Sequence, residues 1–174
     1  NDFDKRIIDY CLKEFSSKYK FDLINIKKDE IAMNRLKIAS EKAKIKLSFE
    51  KKTNICINEF YKHELLNINL TREKFEEICE DLFDQIISPL FNVLENAEKS
   101  ISQVHEIVFV GGSTKIPKIK ESIRNMFTNV KINDSINPDE TVAYGAAIQA
   151  AMLMNGMNDI LNEIYLFDIT PLSS

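Results

Sequence analysis

The sequence is poor in cysteine, histidine and long apolar runs, and each shortage removes a class of protein. Its 174 residues include three cysteines, Cys11, Cys56 and Cys79. An odd number without a CxxC pair argues against a disulfide framework or a zinc site and fits a reducing, cytoplasmic compartment. The two histidines, His63 and His105, lack ligand spacing, and no Ser–His–Asp arrangement is suggested, so no catalytic residue and no metal ligand is assigned. No apolar run approaches a membrane span, and no signal peptide opens the chain. Basic residues are not in excess: 23 Lys and Arg stand against 27 Asp and Glu, for a net charge of −4. A mildly acidic domain with interspersed charges has no electrostatic footprint for nucleic acid. The GxxxxGK[ST] pattern of a P-loop is absent, as are internal repeats and low-complexity stretches. Asn1 runs straight into a helical pattern with no initiator methionine, so the sequence is expected to be an excerpt.

What is present is an ordinary globular composition. Hydrophobic residues make up 44% and charged residues 29%, enough for one domain with a real core or two small subdomains. Ile7, Ile8, Cys11, Leu12 and Phe15 recur at helical spacing between Asp4 and Tyr19, and Asp2 or Asp4 is a candidate cap. A second helix is expected from Asp29 to Leu47, with Ile31, Leu36, Ala39, Ala43 and Leu47 on overlapping faces. The period then shortens to two around Ile55 and Ile57 and again at Leu66, Ile68 and Leu70. That predicts two strands joined through Tyr61 to Glu64. Thr71 is a good N-cap for a helix carrying Phe75, Ile78, Leu82, Phe83 and Ile86, which Pro89 should end or kink. Ile107 to Val110 reads as a strand buried on both faces. Gly111 and Gly112 end it, and Pro117 sits where a helix begins. A last helix is expected near Pro138, capped by Asn137. Its small residues from Ala143 onward would allow a close neighbour.

Four segments carry candidate chemistry, and each has more than one reading. A strand followed by GGST and a helix suits close approach to a base or ribose, because glycine lacks a Cβ, and the helix start suits a phosphate. The same turn can be a tight connection only. In SEKAKIKLS, Glu41, Lys44 and Ser48 share one helix face. They offer a carboxylate, an ammonium and a hydroxyl to a ribose and purine, or they form a solvated face with a Glu–Lys pair. Asp139 in NPDE serves either such a site or the first turn of a helix. The apolar run Ile164, Tyr165, Leu166 and Phe167, just before Asp168, is an edge strand, a frayed tail or a docking segment.

These segments, taken in order, resemble the heat shock protein 70 family of molecular chaperones along the whole chain. DFDKRIIDY (Asp2 to Tyr10), RLKIASEKAKIKLS (Arg35 to Ser48), FEEICEDLF (Phe75 to Phe83), VFVGGSTKIPKI, INPDETVAYGAA and IYLFDITPLS carry the likeness. The resemblance implies an α/β, actin-like ATPase (ribonuclease H-like) fold, of which this chain would be the second lobe. Residues 1–79 would form a peripheral α+β subdomain and 80–158 an incomplete inner α/β subdomain. Residues 159–168 would be the interdomain linker and 169–174 the start of the substrate-binding domain.

By motif match, Glu41, Lys44 and Ser48 would hold the adenosine of ATP or ADP from one side. Gly111, Gly112, Ser113, Lys115 and Ile116 would hold it from the other, with Asp139 nearby. Ile164 to Asp168 would transmit nucleotide state. Ile45 and Lys115 stand where arginine is common in the family, which removes guanidinium planes that could stack on adenine. Phosphate loops, catalytic groups and magnesium ligands would precede Asn1, so this stretch alone would not hydrolyse ATP. Implied partners are a nucleotide exchange factor, a J-domain co-chaperone and unfolded polypeptide clients. The short connection between Phe60 and Thr71 favours a cytoplasmic member. Rival readings are a non-hydrolysing relative acting as an exchange factor, and another actin-like ATPase or kinase.

Overall fold

A computed structural model describes residues 2–133 and 136–153. Ile164 to Asp168 and the boundaries expected beyond residue 153 therefore lie outside the described residues. The architecture is mixed α/β. Three helices open the chain: α1 (Asp2–Tyr19), α2 (Leu23–Lys27) and α3 (Glu30–Leu47). A hairpin of β1 (Lys52–Tyr61) and β2 (Glu64–Thr71) follows, then α4 (Arg72–Ile78) and α5 (Glu80–Asn96). The second half contains β3 (Glu106–Val108), α6 (Pro117–Met126), β4 (Lys131–Asn133) and α7 (Thr141–Leu153).

Local chemistry explains these boundaries. The Asp22 side chain accepts from the Ile24 N–H, capping α2, which the sequence pattern did not reveal. Asp29 accepts from Ala32 N–H and starts α3, and Thr71 accepts from Lys74 N–H and starts α4. Each satisfies an amide that a helix start leaves without a partner. Asp4 does not cap α1. It lies inside the helix, where it pairs with a residue of α3.

α3 packs on both α1 and β1. Its buried stripe is Ala32, Leu36, Ser40, Ala43 and Leu47; Ile31, expected on that face, is exposed. β1 and β2 are antiparallel, with Ile55 opposite Ile68 and Ile57 opposite Leu66. Thr53, Ile55 and Ile57 point inward in strict alternation. An irregularity between Ile57 and Tyr61 then turns Phe60 inward. The two-residue connection Lys62–His63 takes positive φ at both positions, which matches the twist of a tight hairpin. Both histidines of the chain are exposed.

The expected single helix after Thr71 is two helices. Cys79 leaves helical geometry at φ −115° and ψ 9°, ending α4 and starting α5. α5 then runs through Pro89 to Asn96, so the proline does not end it. The core is one contiguous cluster across both halves. Phe3 joins them, its ring 6.0 Å from Phe75 and 5.2 Å from Phe83, a spacing favoured by tilted aromatic pairs.

β3 and β4 are parallel, with Ile107 opposite Ile132, and α6 is the crossover between them. The run Ile107 to Val110 is not buried on both faces. Phe109 is buried, whereas Val108 and Val110 are 42% and 47% exposed. Among the described residues β3 has one partner strand, and only the Ile107 and Phe109 face joins the core. Among the described residues α7 likewise lacks the close neighbour its small residues suggested: outside its own helix backbone, no described atom lies within 4 Å of where a Gly145 Cβ would stand. α7 begins at Thr141, after a turn at Pro138 to Glu140.

Candidate functional site

A cavity of about 320 Å³ lies between the C-terminal half of α3 and the turn that follows β3. Glu41, Lys44, Ile45, Ser48 and Phe49 form one wall. Gly112, Ser113, Lys115, Ile116 and Asp139 form the other. Of the nine residues singled out from the sequence for adenosine, eight meet here, although they come from segments about 60 to 100 residues apart. Gly111 does not line the cavity.

The α3 wall follows from helical spacing. Positions 41, 44, 45 and 48 fall on one side of the helix, while Ala43 and Leu47 turn into the core. The solvated-face reading of this segment does not hold for Lys44. Its side chain is 11% exposed, and its ammonium lies 2.8 Å from Asp4 Oδ1 on α1. The alternative Glu–Lys pair within α3 is not made. The Ser48 hydroxyl closes the helix end, 3.5 Å from the Lys44 carbonyl.

The opposite wall is two turns tied together. The Gly111 N–H donates to the Pro138 carbonyl at 2.9 Å, joining GGST to NPDE. Gly111 takes φ 85° and ψ 149°, a region open to glycine almost alone. Gly112 matters for another reason: a Cβ there would stand 3.1 Å from Asp139 Oδ1. Thr114 donates its hydroxyl to the Gly111 carbonyl at 2.7 Å, and Lys115 pairs with Asp139. The Asp139 N–H in turn donates to Asn137 Oδ1 at 3.2 Å. Asn137 thus braces the turn before α7 instead of capping the helix directly.

The cavity combines apolar surface from Ile45, Phe49 and Ile116 with carboxylates, ammonium groups and hydroxyls on its edges. Apolar surface with a few convergent polar groups is typical of a small-molecule pocket. Among the described residues no group of three histidine, cysteine or acidic side chains could hold a metal ion. A wider, shallower groove of about 540 Å³ runs between another face of α3 and β1. It lacks this convergence, and the Arg35 guanidinium at its edge is engaged with the Asn58 and Glu59 carbonyls.

Two cavity residues were not called as binding residues from the sequence: Ile45, noted there only as standing in place of arginine, and Phe49. Phe49 follows the helix end and breaks no pattern; its only signal is that it stands four residues after Ile45, beside Ser48.

The chain matches the family model described as Hsp70 protein over residues 1–174. It is 44% identical over 173 residues to the heat shock 70 kDa protein 2 of Paracoccidioides lutzii and to the heat shock 70 kDa protein of Neurospora crassa. Each match covers 99% of this chain and 26% of the relative. It is 40% identical over 172 residues to the heat shock cognate 70 kDa protein 3 of Dictyostelium discoideum, covering 99% of this chain and 27% of that protein. The chain thus spans about a quarter of the length of the curated relatives it matches.

Proposed function

The chain belongs to the Hsp70 family, and we propose that it is the adenosine-holding lobe of an ATP-dependent chaperone. The observation that carries this reading is the meeting of Glu41, Lys44 and Ser48 with Gly112, Ser113, Lys115, Ile116 and Asp139 around one cavity. The residues suit the ligand. Carboxylates at Glu41 and Asp139 accept hydrogen bonds from ribose hydroxyls, Ser48 and Ser113 hydroxyls serve either role, and apolar side chains cover a base. Gly112 leaves room beside Asp139 that any larger residue would reduce.

In this reading, residues 1–79 are a peripheral subdomain, 80–158 an inner one, 159–168 a linker, and 169–174 the start of the polypeptide-binding domain. ATP or ADP binds between the two walls with magnesium, whose ligands and the phosphate-binding loops lie elsewhere in the full-length protein. Hydrolysis depends on those parts, because phosphoryl transfer is positioning and charge stabilisation. Nucleotide state reaches the polypeptide-binding domain through Ile164, Tyr165, Leu166, Phe167 and Asp168, provided that the linker interacts differently with the two states. An exchange factor that tilts the α3 wall away from the Gly111 to Asp139 wall releases nucleotide. A J-domain co-chaperone and unfolded polypeptides complete the partners, in the cytoplasm.

The test is calorimetric titration of ADP with magnesium into the full-length protein and its Ser113→Trp and Asp139→Ala variants. Saturable binding in the wild type that is lost in the folded variants supports the reading. A wild-type protein that binds no nucleotide overturns it.

A further inference from the structure

Two large apolar side chains stand in water at the mouth of the cavity. Ile45 is 52% exposed and Phe49 73% exposed, although Leu47 between them is fully buried. Neither the helix nor the core accounts for their placement. Leu47 ends α3, but the chain does not yet leave the helix: the Phe49 and Glu50 N–H groups both donate to the Lys46 carbonyl, at 2.9 and 2.8 Å. This extra turn fixes the Phe49 backbone four residues beyond Ile45, on the cavity side. Its ring makes no aromatic contact with any described residue. Leaving such apolar side chains in water is unfavourable unless a ligand covers them.

Phe49 also stands between two cavities. It lines the 320 Å³ site, and with Ser48 and Lys115 it lines an adjoining one of about 530 Å³ bordered by Pro117 and Pro138. A flat ring entering between the walls meets Ile45 and Phe49 on one side and the stem of Lys115 with Ile116 on the other.

We propose that Phe49, seconded by Ile45, forms an apolar cap that lies against the purine ring of the bound nucleotide. The cap is built from this chain's own side chains and does the work of a stacking plane. An aromatic face accepts any base, so Phe49 contributes affinity for the ring, while the polar edges of the cavity choose among rings. The inference rests on the nucleotide reading above.

The test titrates ADP with magnesium into full-length wild type, Phe49→Ala and Phe49→Trp, with the fluorescence of Phe49→Trp read against wild type. Because Phe49 is mostly exposed, neither substitution removes core packing, and thermal melts verify that the variants are folded. The cap requires binding about tenfold weaker in Phe49→Ala. It also requires near-wild-type binding in Phe49→Trp, with an indole signal that changes on saturation. Equal ADP affinity in wild type and Phe49→Ala overturns the cap while leaving the nucleotide site standing. A wild-type protein that binds no ADP overturns both.

Discussion

Asp4 on α1 and Lys44 on α3 form an ion pair at 2.8 Å with side chains only 13% and 11% exposed. The pair links the first helix of the chain to the cavity wall. Charges this sheltered are costly to leave alone, and removing one partner is far worse than replacing both by apolar groups. Asp4→Ala should cost roughly 3 kcal/mol, read as faster hydrogen exchange along α1 and α3. Asp4→Leu combined with Lys44→Met should restore most of that protection. The double variant should still bind ADP more weakly, since the cavity has lost the Lys44 ammonium. Full binding by the double variant would remove Lys44 from the site.

The two glycines of the GGST turn should fail in different ways. Gly111 has open space around it but φ 85°, so Gly111→Ala pays in backbone strain, roughly 1–3 kcal/mol. Gly112 has an ordinary φ, and its Cβ would meet only the exposed carboxylate of Asp139, at 3.1 Å. Asp139 can swing aside, so Gly112→Ala should leave the melting temperature nearly unchanged. The displaced carboxylate leaves Lys115 and the ligand, so ADP binding should fall. Thermal melts beside ADP titrations separate strain from site.

This contrast also marks what the sequence made legible. Motif residues with fixed spacing, such as Glu41, Lys44 and Ser48 on α3, fell into one cavity with the GGST turn because helix period and a glycine turn are local facts. Long-range facts were hidden. Lys44 looked like a partner for Glu41, yet the buried carboxylate of Asp4, forty residues earlier, holds it. Ile31 looked like core, but the stripe that meets α1 and β1 is one position later, at Ala32. Val108 and Val110 looked buried because an apolar run does not say which faces are covered. The helix break falls at Cys79, where no glycine or proline marks it, and α5 runs on through Pro89.

Acid should loosen the β3–β4 pair. Glu106 lies opposite Lys131 in the register, with the ammonium 3.0 Å from its carboxylate. The hydrogen bond and charge of Lys131, helped by the Asn133 amide, hold the Glu106 carboxyl below its ordinary 4.5. A carboxyl lowered in the folded state contributes stability above its unfolded value and loses it as pH falls through the folded one. Amides of β3 and β4 should therefore lose protection below about pH 4.5, after correction for intrinsic exchange. Glu106→Gln should flatten that dependence.

Thiol chemistry offers the sharpest check on the packing between the halves. Burial pushes the thiols of Cys11 and Cys79 up to about 12, whereas Cys56 is exposed on β1. Only a thiolate attacks an alkylating reagent, so at pH 8 the two buried thiols are both sheltered and protonated. Iodoacetamide followed by peptide mapping of the full-length protein should label Cys56 first and leave Cys11 and Cys79 unmodified until denaturant is added. Cys79 is the more telling of the two, because it sits where α4 gives way to α5 and belongs to the same buried cluster as the Phe3, Phe75 and Phe83 rings that join the halves. Were it to react as fast as Cys56 in the folded protein, the junction would be opening on the labelling timescale. The Phe3 bridge would then not be the fixed link that the ring geometry describes.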